Sequence, residues 1–86
     1  MYTQRIVIQN KTGLHARPAS MLLELAQQFE SEVMLFTEDE EINAKSIISI
    51  LAGGITAGTE VRLEIEGRDE NQAGKAISDL LHTLPD

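Results

Sequence analysis

Glu60-Val61-Arg62-Leu63-Glu64-Ile65-Glu66 alternates charged and apolar side chains over its whole length. Successive side chains of a strand point to opposite faces, so the alternation describes a strand with one buried and one wetted face. Sheets with a wetted face are antiparallel; parallel sheets are covered on both sides and read as continuous apolar runs. The same period, less clean, recurs elsewhere. Ile6 and Ile8 predict a strand over residues 2–9, and Val33 and Leu35 alternate with Glu32 and Met34. A third, short strand begins at Ile42, after the charged reversal Glu38-Asp39-Glu40-Glu41.

Between these strands the period changes to that of a helix. From Ala16 to Phe29 the apolar residues Ala19, Leu22, Leu23, Leu25, Ala26 and Phe29 fall at helical spacing, with Ser20, Glu24, Gln27 and Gln28 opposite. Pro18 lies in the first turn, where its missing amide would have had no intrahelical partner. Ser46 is a good N-cap for a short helix carrying Ile47, Ile48, Ile50 and Leu51, which Gly53-Gly54 ends. After the turn at Gly67, Asp69 is placed to cap a last helix with Ala73, Ala76, Ile77, Leu80, Leu81 and Leu84 in one stripe. Gly74 inside it costs about 1 kcal/mol against alanine, so packing must hold that helix. The order βαββαβα predicts an α+β domain spanning residues 1–86, its antiparallel sheet covered by helices on one side.

The totals bound the function. At 86 residues the chain suffices for one domain, and with 3% aromatics its core must be aliphatic. There is no cysteine and the two histidines are far apart, which excludes a disulfide scaffold and disfavours structural zinc. A net charge of -7 opposes nucleic acid and anionic membrane surfaces as partners. No apolar run reaches the roughly 20 residues a membrane helix needs, and Met1 to Arg5 leads directly into a strand pattern, so a cytoplasmic protein without membrane insertion is expected.

The chemistry concentrates in Asn10-Lys11-Thr12-Gly13-Leu14-His15-Ala16-Arg17-Pro18-Ala19. His15 falls at the start of the first helix, where backbone amides are unpaired and the helix dipole favours an anion. Neutral imidazole is a nucleophile near pH 7. Arg17 can add a charge-assisted contact to an attached anion, and the amides of Ala16 and Arg17 can cradle it. Phosphoryl transfer asks for positioning and charge stabilisation, and these residues supply both. No glycine-rich phosphate loop and no metal-carboxylate pair accompany them, so the chain reads as a transfer intermediate rather than a stand-alone enzyme, with no metal and no cofactor.

On Gly13-Leu14-His15-Ala16-Arg17-Pro18-Ala19, Ala44-Lys45-Ser46-Ile47, Ala57-Gly58-Thr59-Glu60-Val61 and Gly67-Arg68-Asp69-Glu70, the chain resembles the HPr family of histidine-containing phosphocarriers, of the phosphoenolpyruvate:sugar phosphotransferase system, over nearly its full length. The resemblance implies an open-faced β-sandwich, with three helices on one face of a four-stranded antiparallel sheet. It implies that His15 accepts a phosphoryl group at Nδ1 from phospho-enzyme I, that Arg17 contacts the group, and that enzyme IIA domains receive it for sugar uptake. The implied partner surface comprises Ser20, Glu24, Ile47, Ile48 and Leu51, on a monomer.

The resemblance also implies a regulatory role for Ser46, which many Gram-positive relatives phosphorylate through an ATP-dependent HPr kinase/phosphorylase, creating an epitope for a transcription regulator. This chain departs from that pattern at Ile48 and Leu51, where methionines are common, and its first helix carries Glu24, Gln27 and Gln28 where better-known members of the family often carry lysines. Two alternatives stand beside sugar transport: a paralogue in a nitrogen-related or other dedicated phosphotransferase pathway, and a regulatory binding module acting through Ser46. The acidic reversal reads as a solvated loop, and His82 as a favourable charge near a helix C-terminus.

Overall fold

A computed structural model describes residues 1–86. Four strands and three helices alternate in the expected order: β1 (Tyr2–Val7), α1 (Ala16–Ala26), β2 (Glu32–Phe36), β3 (Glu41–Asn43), α2 (Ile47–Ala52), β4 (Glu60–Glu66) and α3 (Glu70–His82). The sheet is antiparallel throughout, in the order β1-β4-β2-β3. The cleanly alternating strand β4 is therefore interior, and its register organises the core. Leu63 lies opposite Gln4 on β1 and Leu35 on β2, and Leu35 lies opposite Ile42 on β3. Val61, Leu63 and Ile65 are fully buried while Glu60, Arg62 and Glu66 are exposed. Each such aliphatic side chain taken from water stabilises the fold by about 2 kcal/mol.

The three helices cover the face carrying Leu63, Leu35 and Ile42, and the other face is open: an open-faced sandwich. The core is aliphatic as expected; Tyr2 and Phe29 pack at its margin, and Phe36 on the open face lies beneath the Arg62 guanidinium, 4.8 Å from its ring centre. Gly74 is explained by close approach. The Tyr2 ring occupies the space its Cβ would need, so the missing side chain lets α3 lie down on β1.

Two boundaries and one cap differ from the sequence reading. Strand β1 ends at Val7, although Ile8 still donates to the Thr59 carbonyl at 2.9 Å. Helix α1 ends at Ala26 rather than Phe29, and the Lys45 ammonium donates to the Phe29 carbonyl at 2.6 Å, tying the chain after α1 to the segment before α2. Asp69 occupies the N-cap of α3 but makes no cap bond. Its carboxylate instead accepts from the Glu30 amide at 2.9 Å, the Ser31 amide at 3.0 Å and the Ser31 hydroxyl. Those donors immediately precede β2, so the carboxylate joins two elements rather than finishing one.

Candidate functional site

The segment between β1 and α1 is fixed by few bonds, each with a clear cause. Residues 10–13 form a turn in which the Gly13 amide donates to the Asn10 carbonyl at 3.2 Å. Gly13 has φ +62, and a Cβ there would collide with the Ile55 carbonyl and Thr56, so glycine is required on two counts. Leu14, wholly buried, anchors the segment, and its amide donates to the Ile55 carbonyl at 3.1 Å.

Directly after this anchor the chain emerges. His15 is exposed and extended (φ -126, ψ 163), and its imidazole makes no cap hydrogen bond. Ala16 follows at φ +51, in the left-handed region, which costs a non-glycine residue about 1 kcal/mol. A left-handed residue leading into a right-handed helix turns successive amides toward one concavity, an arrangement that suits an anion. The amides of Ala16 and Arg17 precede the first intrahelical bond, and no turn or cap bond uses them. The first turn holds no acidic side chain to neutralise them. Arg17 is exposed and joins no ion pair. Pro18 and Ala19 are buried, so the helix is seated firmly under a free imidazole, a free guanidinium and open amides.

The structure brings the other predicted residues onto two helices in contact, α1 and α2. Ser20 and Glu24 are exposed on α1, and Ile47 is half-buried. Ile48 and Leu51 stand out as apolar side chains in water, 77% and 43% exposed. Ser46 is the N-cap of α2, as expected, and its hydroxyl oxygen accepts from the Ser49 amide at 3.2 Å. Ser49 in turn accepts the Asn43 amide at 2.8 Å, which fixes the chain entering the helix.

No cavity coincides with this site. The structure's groove, about 750 Å³, lies where the open sheet face meets the loop at Glu38 and the turn at Gly53, and His15 and Arg17 do not line it. No group of three or more His, Asp or Glu residues is placed to hold a metal ion, and no helix is long and apolar enough to cross a membrane. His82 is exposed in the last turn of α3. The acidic loop is organised by Thr37, whose hydroxyl accepts the amides of Asp39 and Glu40. The sequence reading took Asn10 only as turn chemistry and missed how far it reaches: it is buried, and its side-chain amide donates to the Gly13 carbonyl at 2.9 Å and to the Pro85 carbonyl at 3.2 Å.

Comparison with known proteins agrees with the geometry. The family described as "PTS HPr component phosphorylation site" matches residues 2–83. The phosphocarrier protein HPr of Neisseria meningitidis serogroup A is 40% identical over 82 residues, 95% of this chain and 92% of that protein. The crystal structure of HPr-C-His from Thermoanaerobacter tengcongensis superimposes with a TM-score of 0.92 at 43% identity, covering 95% of this chain and 92% of that one. Crh, the catabolite repression HPr of Bacillus subtilis, crystallised as a swapped dimer, matches with a TM-score of 0.76 at 35% identity, over 95% of this chain and 94% of that one.

Proposed function

From the premise that the chain belongs to the HPr family of phosphocarriers of the phosphotransferase system, we propose that its phosphoryl group is carried on His15, received from enzyme I and passed to an enzyme IIA domain in the cytoplasm. The observation that carries this reading is the pairing of an uncapped imidazole at His15 with the unpaired amides of Ala16 and Arg17. The Nδ1 lone pair of neutral His15 attacks phosphorus, the bond from phosphorus to the donor breaks, and the imidazole holds the group as a phosphoramidate until a second nucleophile reverses the process. Both steps develop charge on the equatorial phosphoryl oxygens. The two amides and the Arg17 guanidinium supply fixed and mobile donors to that charge. Ile48 and Leu51 supply the apolar contact by which a partner brings its own reacting group to His15.

Ser46 is a second modification site in this proposal. Its oxygen already accepts the Ser49 amide, and a phosphoryl oxygen can accept the same bond. The added charge of about -1.5 to -2 stands beside Ile47 and Ile48 and hinders docking.

Intact mass after incubation with enzyme I, Mg²⁺ and phosphoenolpyruvate tests the carrier role. One acid-labile phosphoryl group on the wild type and none on His15→Ala is the expected result; transfer retained by His15→Ala removes His15 from the mechanism. A parallel incubation with HPr kinase/phosphorylase and ATP, using Ser46→Ala as control, tests the regulatory site.

A further inference from the structure

Asn10 is a polar side chain held almost completely inside the protein, at 7% exposure, and the reaction proposed for His15 gives it no chemical task. Its Nδ2 donates to the Gly13 carbonyl at 2.9 Å, the Pro85 carbonyl at 3.2 Å and the Thr12 hydroxyl at 3.4 Å. Its Oδ1 is buried and meets no donor. The opposite orientation of the amide would set Oδ1 against two carbonyl oxygens, so the assignment of nitrogen and oxygen is fixed by its surroundings. A buried acceptor without a donor is costly, and the protein carries that cost to keep the donor where it is.

The donor's position is informative. The carbonyl of Gly13 and the amide of Leu14 belong to one peptide group. Asn10 holds its oxygen and the Ile55 carbonyl holds its N–H. A glycine at φ +62 has two soft dihedrals and would otherwise let this peptide rotate. With both ends clamped, the plane is fixed, and with it the direction in which the chain leaves Leu14 for His15. The distal end of the clamp is the C-terminal segment: Pro85 accepts from Asn10, and the Asp86 carboxylate accepts the Lys11 amide at 2.5 Å.

We propose that Asn10 is a positioning residue for phosphoryl transfer, fixing the Gly13–Leu14 peptide and hence the placement of the His15 imidazole; this rests on His15 being the acceptor. The hydrogen bonds of Asn10 go to Thr12, Gly13 and Pro85 and not to α2, so its loss should leave docking intact. Steady-state phosphorylation by enzyme I, with Asn10→Ala as the test variant, should show kcat reduced about tenfold and KM unchanged, the scale expected when a reacting group is displaced by a fraction of an ångström. Amide NMR resonances of Leu14, His15 and Ala16 should shift while those of Ile48 and Leu51 stay in place. Deleting Pro85 and Asp86 should give a smaller loss that does not add to that of Asn10→Ala. A folded Asn10→Ala protein with wild-type kcat, or with a loss confined to thermal stability, overturns the proposal. If Asn10→Ala does not fold, Asn10→Ser decides, because its hydroxyl donates to one carbonyl and not two. Reduced kcat at unchanged KM supports the clamp, and wild-type kcat refutes it. Failure of the wild type itself to accept a phosphoryl group would instead refute the carrier reading, and the amide shifts would still report on the peptide.

Discussion

Helices α1 and α2 both start from a residue in extended conformation, and the two starts are opposite in kind. At α2 the cap closes on itself: the Ser46 oxygen takes the amide of Ser49, three residues on. At α1 the residue three positions beyond His15 is Pro18, which has no N–H to give. No side chain at position 15 can close α1 as Ser46 closes α2. Ala16 is also held left-handed, a conformation that turns its own amide and that of Arg17 toward one concavity. The lesson is that a helix start can be left open by withholding a cap, using one proline and one strained alanine, and the phosphoryl site proposed at His15 would use that opening. The start of α3 shows a third outcome, in which the Asp69 carboxylate is diverted to Glu30 and Ser31.

The contrast can be broken most severely at its base. Gly13→Ala places a Cβ against the Ile55 backbone at a positive φ, and unfolding by urea should show a loss of about 3 kcal/mol, combining backbone strain with overpacking. The open start itself is probed by Arg17→Ala, which should slow transfer from enzyme I about tenfold, or about 1.4 kcal/mol, with no change in stability; a charge-assisted contact to the group is worth that much. Ser46→Ala should cost about 1 kcal/mol of stability, the usual value of a cap. His15→Ala should cost less than about half of that, because His15 caps nothing. Equal losses at the two positions would erase the distinction between a closed and an open start.

The smallest effect lies at the diverted start, and acid erases it. The Ser31 hydroxyl, followed by the Glu30 and Ser31 amides, holds the Asp69 carboxyl below its ordinary value. The folded pKa lies under the unfolded one, so this stabilisation is complete above the usual aspartate range and disappears as pH falls through the folded value. Asp69→Asn should be less stable than the wild type at neutral pH and should lose less on acidification. Urea midpoints between about pH 6 and pH 2, spanning the carboxylate range, measure both.

What the sequence made legible follows from the range of the interactions concerned. Strand β4 and the stripe of α3 are periodic patterns, written into consecutive residues and readable there. The placement of His15 and Arg17 at the start of α1 was readable for the same reason, as neighbours in one short motif. The reach of Asn10 to Pro85 and of Asp69 to Ser31 was not, because those bonds join residues far apart in the chain and both side chains carry ordinary local explanations, a turn and a cap. Ala16 was opaque in another way. Alanine has no preference for the left-handed region, and only the surrounding packing puts it there.

The interior position of β4 also sets a timetable. Ile6 faces Val61, about 55 residues later in the chain, so a ribosome adding roughly 5–20 residues each second delivers the partner of β1 roughly 3–11 s after β1 itself. Throughout that interval the apolar side of the first strand has nothing to pair with, and α3, which covers it through the contact of Gly74 with Tyr2, emerges later still. The sheet is therefore completed only once β4 has emerged, with the longest loop closures left until last.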